Sequence, residues 1–227
     1  MKYSNVVSPY LDLNPQANAD RDAQSQANYM QAMLQISSLQ QKSLPLNHYL
    51  LQLHKIVNQC MHAENFFVAI YNADKSQVSV PYFVDQHDQH FDLATPVDAQ
   101  EFLSNSLLGY ILQRKQPLLA DKAKIDRLKQ AQVLSSRGTD CTSWLGMPLI
   151  HHSQVWGAIA VQSYDEHKHY QTCQVPFFQF VAEQAATCLY QHIELTQLKD
   201  YQHQLEDLVD WQVDEIRILK SKLQKAS

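Results

Sequence analysis

Glycine is what this sequence has least of. Four glycines occur in 227 residues, Gly109, Gly138, Gly146 and Gly157, and no two lie within seven residues of each other. A loop that cradles phosphate needs closely spaced glycines, because only they let successive backbone N–H groups close on the anion. A Walker loop and a GxGxxG dinucleotide loop are therefore excluded, as is a glycine-rich cyclase signature within this chain. No glycine follows Gly157, which favours an uninterrupted helix at the C-terminal end.

Long apolar runs are missing as well. A membrane span needs about 18 or more consecutive apolar residues, and none is present, so no membrane partner is expected. The opening MKYSNVVSPYLDLNPQ has no signal-peptide core, which places the protein in the cytoplasm. Positive charge is in deficit, with 18 Lys and Arg against 23 Asp and Glu for a net charge of −5. Nucleic-acid binding needs a basic surface to displace counterions and is not expected. The four cysteines, Cys60, Cys141, Cys173 and Cys188, form no CxxC pair. In a reducing compartment they read as buried small hydrophobes or idle surface thiols.

The rest is globular in composition, with 45% hydrophobic residues. Residues 1–18 are polar, contain Pro9 and Pro15, and read as a flexible tail. Residues 19–44 read as an N-terminal amphipathic helix with Met30, Met33, Leu34 and Leu39 on one face. After Pro45 the spacing of Leu46, Leu50, Leu53, Val57 and Cys60 predicts a second helix. FFVAIY (66–71) reads as a covered strand and VSVPYFV (78–84) as its alternating neighbour, with Pro81 marking an edge or bulge. DQHDQHFD (85–92) and RGTD (137–140) read as loop and turn. Residues 99–115 and 122–132 read as helices. SWLGMPLI (143–150), a polar turn and VWGAIAVQSY (155–164) read as a hairpin, and residues 171–225 as one long helix. Strands in hairpins, separated by helices, predict an α+β antiparallel sheet.

From Leu195 the apolar residues follow a heptad, with Leu195, Gln202, Val209, Ile216 and Leu223 at a, and Leu198, Leu205, Gln212 and Leu219 at d. Branched residues at a with Leu at d favour a parallel two-stranded coil. In that register Glu215 faces Lys220 across the dimer and Leu208 faces Val213, while the two glutamines are polar seam positions that fix register at a cost in stability. The expected dimer seam is Leu198, Leu205, Val209, Ile216, Leu219 and Leu223. The alternative is a long helix packed on its own domain.

The pieces ENFFVAIYNADKSQVSVPYFVDQHD (64–88), LLGYILQRKQPLL (107–119), RGTDCTSWLGMPLIHHSQVWGAIAVQSY (137–164) and FFQFVAEQAATCLYQ (177–191) resemble, in order and spacing, the GAF domains that precede diguanylate cyclase or histidine kinase domains. Residues 201–224 look like the coiled linker that follows such domains. The resemblance implies a domain over 45–194, a sheet of five or six strands with helices on both sides, and a signalling coil over 195–227. It implies a pocket on one sheet face, a small-molecule ligand of unknown identity, a homodimer, and a signalling output domain or partner protein. That output domain does not follow here, so the chain is either a fragment or a stand-alone form. On this reading Tyr82, Asp85, Tyr110, Thr139, Ser143, Trp144 and Met147 are the candidate ligand contacts, with Trp144 and Met147 alternatively plain core.

Other chemistries that such folds carry find little support. Bilin-binding relatives use a Cys-His pair on a pocket helix and an Asp-Ile-Pro stretch. The nearest pair is Cys60-Met61-His62 in the first helix of the 45–194 domain, and Asp-Ile-Pro is absent, so no covalent bilin is expected. The branch that reduces methionine sulfoxide needs a thiolate with a resolving cysteine, and Cys141 has none beside it in sequence. His87, Asp88, His90 and Asp92 in one loop, and His167 and His169 in another, read as solvated rather than as metal ligands. His192 and His203 lack the His-Glu-x-x-x-Pro context of a phosphorylated histidine. No catalytic residue is assigned, and the competing structural expectation is a filled GAF-type fold that only dimerises and scaffolds a partner.

Overall fold

A computed structural model describes residues 15–88, 95–135 and 139–226. Strands β1 (Asn65–Asn72), β2 (Gln77–Val84), β3 (Val97–Asp98), β4 (Leu118–Asp121), β5 (Ser143–His151) and β6 (Gln154–Ser163) form one sheet in the order β3-β2-β1-β6-β5-β4. Every neighbouring pair is antiparallel. Helices α1 (Pro15–Gln40), α2 (Leu46–Cys60) and α6 (Val175–Ala226) cover one face; α3 (Ala99–Leu103), α4 (Leu107–Arg114) and α5 (Lys122–Gln130) cover the other. This is the expected α+β, GAF-like architecture, with six strands rather than five.

The side-chain period of two divides the core into two layers. Phe66, Val68, Leu145, Met147, Ile159 and Val161 face α1, α2 and α6. Ala69, Trp144, Ala158 and Ala160 face the short helices. The first layer is sealed by Tyr49, Phe177 and Phe178, all fully buried, each contributing roughly 1.5–3 kcal/mol through burial. Small residues on the second layer leave room above the sheet. Gly157 permits the tight approach of β6 to β1, since a Cβ there would stand 2.0 Å from the Ala69 carbonyl oxygen.

Pro81 sits at a bulge. Val68 pairs with Tyr82 and Ile70 with Ser79, so Val80 and Pro81 together oppose one residue of β1. On the outer side β3 pairs only with Gln77 and Val78, so the missing N–H of proline breaks no ladder. The β5–β6 turn is His152-Ser153, with φ of 48° and 64°, the two-residue geometry that matches strand twist.

Several expectations change. α1 begins at Pro15, a first-turn position proline tolerates, so the expected tail overlaps the helix; residues 1–14 lie outside the described residues. Its covered stripe is Ala32, Ile36 and Leu39, while Met30 and Leu34 stay 68% and 73% exposed. The single helix expected over 99–115 is two. Ser104 and Asn105 interrupt it, Asn105 at φ 54°, and the Ser106 hydroxyl caps α4 by accepting from the Gly109 N–H at 3.0 Å. β3 and β4 were not anticipated. The C-terminal helix is a 3₁₀ turn, Thr172–Gln174, followed by an α-helix of 52 residues with Pro176 in its first turn.

Beyond the domain, Leu195, Leu198, Leu205, Val209 and Ile216 are each at least half exposed on α6. The side chains of Leu219 and Leu223 lie outside the described ones. Among the described residues no helix is long and apolar enough to cross a membrane.

Candidate functional site

Above the small-residue layer, α3, α4 and α5 stand off the sheet and enclose a cavity of about 270 Å³. Its floor is Phe67 of β1, Val80 and Phe83 of β2, Trp144 of β5 and Gln162 of β6; Phe102, Leu107, Leu108 and Ile125 form the roof. Phe67 and Phe83 are cross-strand partners, their ring centroids 6.3 Å apart. The benzo edge of Trp144 lies over Gly146, where a Cβ would come within 2.1 Å of the ring. Gly146 thus sets the height of the indole.

The polar lining residues are Asp88, Lys129, Thr139, Asp140 and Cys141, with Ser106 and Ser135, and Lys129 of α5 is ion-paired to Asp140. Behind Gln162 lies Asp85. Its Oδ2 accepts from Gln162 Nε2 at 2.6 Å, its Oδ1 accepts from the N–H groups of His87 and Asp88 at 2.8 and 2.9 Å, and the Tyr164 hydroxyl donates to it at 2.9 Å. Burial pushes the Asp85 carboxyl up, but the four donors outweigh it and hold the group below its ordinary value. Asp85 is an ionised carboxylate saturated by protein donors.

Cys141 is the one thiol on the cavity. Burial, the largest influence on it, pushes it up to about 11, so it is a protonated thiol and not a nucleophile at neutral pH. All four cysteines are free, so Cys141 has no disulfide partner.

Of the anticipated contacts, Thr139 and Trp144 line the cavity and Asp85 stands one residue behind it. Tyr82 and Met147 pack in the opposite layer. Ser143 is buried, and its hydroxyl accepts from the Tyr170 N–H at 3.0 Å. Tyr110 borders a separate open depression with Ser76 and Gln100, with the Arg114 guanidinium 4.5 Å above its ring. The reason is the strand period: neighbours in β5, or residues three apart, cannot share a face. Sequence reasoning missed Phe67, Phe83, Phe102, Lys129 and Gln162. Only the first two carried a signal, as aromatic residues on predicted strands.

On the helix side, His54 of α2 stacks on Phe66 at 4.7 Å. Its Nε2 lies 2.6 Å from the Ala63 carbonyl oxygen and its Nδ1 2.9 Å from the Tyr82 hydroxyl. A carbonyl only accepts, so Nε2 carries the hydrogen and Nδ1 accepts from Tyr82. Burial lowers the His54 pKa, partly offset by the Ala63 carbonyl.

Cys60, on α2, bonds to the Asn28 carbonyl oxygen at 3.7 Å in the helix layer, away from the cavity. His87 meets the Tyr164 ring edge-on at 4.4 Å; His90 and Asp92 lie outside the described residues. Among the described residues, no group of three or more His, Cys, Asp or Glu is placed to hold a metal.

The family model of the GAF domain matches residues 50–189. No match is found among curated proteins. Among solved structures, the GAF domain of a phosphoenolpyruvate-protein phosphotransferase from Coxiella burnetii aligns with TM-score 0.61 and 15% identity, over 75% of this chain and 98% of that one. A methyl-accepting chemotaxis protein fragment, residues 122 to 287, aligns with TM-score 0.56 and 16% identity, over 69% and 95%. The free methionine-R-sulfoxide reductase of Neisseria meningitidis aligns with TM-score 0.53 and 10% identity, over 71% and 88%. At such identities the likeness is one of fold.

Proposed function

The chain belongs to the GAF domain family, and from that premise we propose that it is a non-catalytic sensory module that binds a small molecule between the sheet and α3–α5. The observation that carries this reading is the cavity of about 270 Å³, lined by aromatic and aliphatic side chains with a few polar groups among them, the usual make-up of a ligand site. A filled scaffold would have no such volume. The protonated Cys141 argues against thiol catalysis at this site.

The signal leaves through α6. Its first turns rest on β5, the strand that carries Trp144, and its exposed apolar stripe pairs with a second copy as a parallel coiled coil. The same coil delivers the change to an output domain or partner protein, of the diguanylate cyclase or histidine kinase kind that the linker resembles. Four free thiols suit a reducing cytoplasm.

Native mass spectrometry of the purified chain, set against its denatured mass, tests the reading. A dimer with added small-molecule mass is the expected result. A dimer that gains no mass, even in the presence of cell extract metabolites, would favour the scaffold. A monomer would remove the signalling route.

A further inference from the structure

The polar side chains of the cavity specify what kind of molecule it takes, an inference that rests on the ligand-binding reading above. Gln162 is oriented from behind. Its Nε2 donates to Asp85 Oδ2 at 2.6 Å and to the Tyr164 hydroxyl at 2.8 Å. The hydroxyl spends its own hydrogen on Asp85, and Asp85 is pinned by two backbone N–H groups. An amide has two N–H hydrogens, and these two bonds use both. The oxygen Oε1 accepts from none of the described residues and is the free polar atom of a side chain that lines the cavity. Gln162 is thus an acceptor, fixed in that role by Asp85.

The charges agree. Asp88 and Asp140 line the cavity and ionised Asp85 lies behind it, while Lys129, the one cation among the described lining residues, is paired with Asp140. An anionic ligand would meet the Asp88 carboxylate on the lining, with Asp85 behind Gln162, and no unpaired cation among these residues. The apolar lining combines the rings of Phe67, Phe83, Phe102 and Trp144 with aliphatic side chains including Val80 and Ile125; the rings suit a flat π-system and favour positive over negative charge against them. The volume is at the small end for ligand sites, which run from about 300 Å³ upward, so one or two fused rings fill it.

We propose that the cavity takes a small flat heteroaromatic, neutral or cationic, whose edge presents N–H donors to Gln162 Oε1 and Asp88: an amino-substituted ring rather than a phosphate ester or carboxylate.

Isothermal titration of the full chain tests this with five probes: adenine and tryptamine as donor-edged rings, indole-3-acetate and cyclic AMP as their anionic counterparts, and benzene as a bare ring. Adenine and tryptamine are expected to bind at least tenfold tighter than their anionic counterparts. Asp88→Asn, which keeps the side-chain shape, should narrow the gap between tryptamine and indole-3-acetate. Gln162→Leu should weaken adenine at least fivefold and leave benzene unchanged, with the latter confirming an intact cavity. Equal or tighter binding of an anionic probe overturns the assigned class and leaves the ligand-binding reading standing. Benzene binding alone also overturns the class, because the cavity is then open yet indifferent to donors. Failure of all five probes overturns the class as well, and the native mass measurement above then decides separately whether any small molecule binds.

Discussion

The Tyr82 hydroxyl and His54 Nδ1 lie 2.9 Å apart and tie α2 to the strand that carries the Pro81 bulge. Tyr82→Phe removes the donor and leaves a half-buried ring nitrogen unsatisfied. The expected cost is about 1 kcal/mol. Urea unfolding should show a lower midpoint with an unchanged slope.

His54 also makes stability depend on pH. The unfolded ring titrates near 6.5, and burial lowers the folded value. Between the two values the unfolded chain binds more protons, so stability rises with pH. The contribution is complete above about pH 6.5 and is lost as pH falls through the folded value. His54→Gln should flatten that slope when melts between about pH 5 and 7.5 are compared with the parent. His151, lowered by burial and by His152, acts in the same window but is present in both proteins, so the difference isolates His54.

Gly146→Ala places a methyl 2.1 Å from the Trp144 ring. The buried indole must move into the cavity. The expected cost is about 1–3 kcal/mol, as for other overpacked sites, together with loss of cavity binding in titrations. Gly157→Ala collides instead with backbone, the Ala69 carbonyl oxygen at 2.0 Å, and should destabilise more in parallel urea melts.

Cys141 should resist a thiol reagent. With its pKa pushed up to about 11 by burial, it has almost no thiolate at pH 8. Cys173 is exposed. Brief treatment with dithionitrobenzoate, followed by peptide mass mapping, should mark Cys173 long before Cys141, and denaturant should abolish the difference.

Leu205→Asp combined with Val209→Asp should convert a dimer to a monomer in sedimentation velocity runs. Both side chains are exposed on a single chain, so the thermal transition of the domain itself should hardly move.

How far these elements can be read from sequence depends on the length and period of each. FFVAIY, the two long hairpin strands and the glycine-free end are long enough for periodicity to show. β3 has two residues and β4 four, too few for a pattern to register. In α1, the spacing of the large apolar residues alone does not separate Met30 and Leu34, which stay exposed, from Ile36 and Leu39, which are buried. The face that packs is built around Ala32 and Ile36, where a small residue lets another helix approach. For the site, the strand period of two separates Trp144 from Ser143 and Met147, so the three cannot line one cavity. Gln162 was out of reach: its meaning depends on Asp85, 77 residues earlier, and nothing local marks a glutamine as an oriented acceptor.

α6 is one unbroken helix from Val175 to Ala226, and its seat on the sheet makes it a lever. From Leu195 to its end it is about 46 Å long at 1.5 Å per residue. A tilt of about 5° at the seat would swing the far tip by about 4 Å, close to one helical turn of 5.4 Å. A sub-ångström displacement of β5 would thus be amplified mechanically, and two such arms side by side would turn it into a scissor motion.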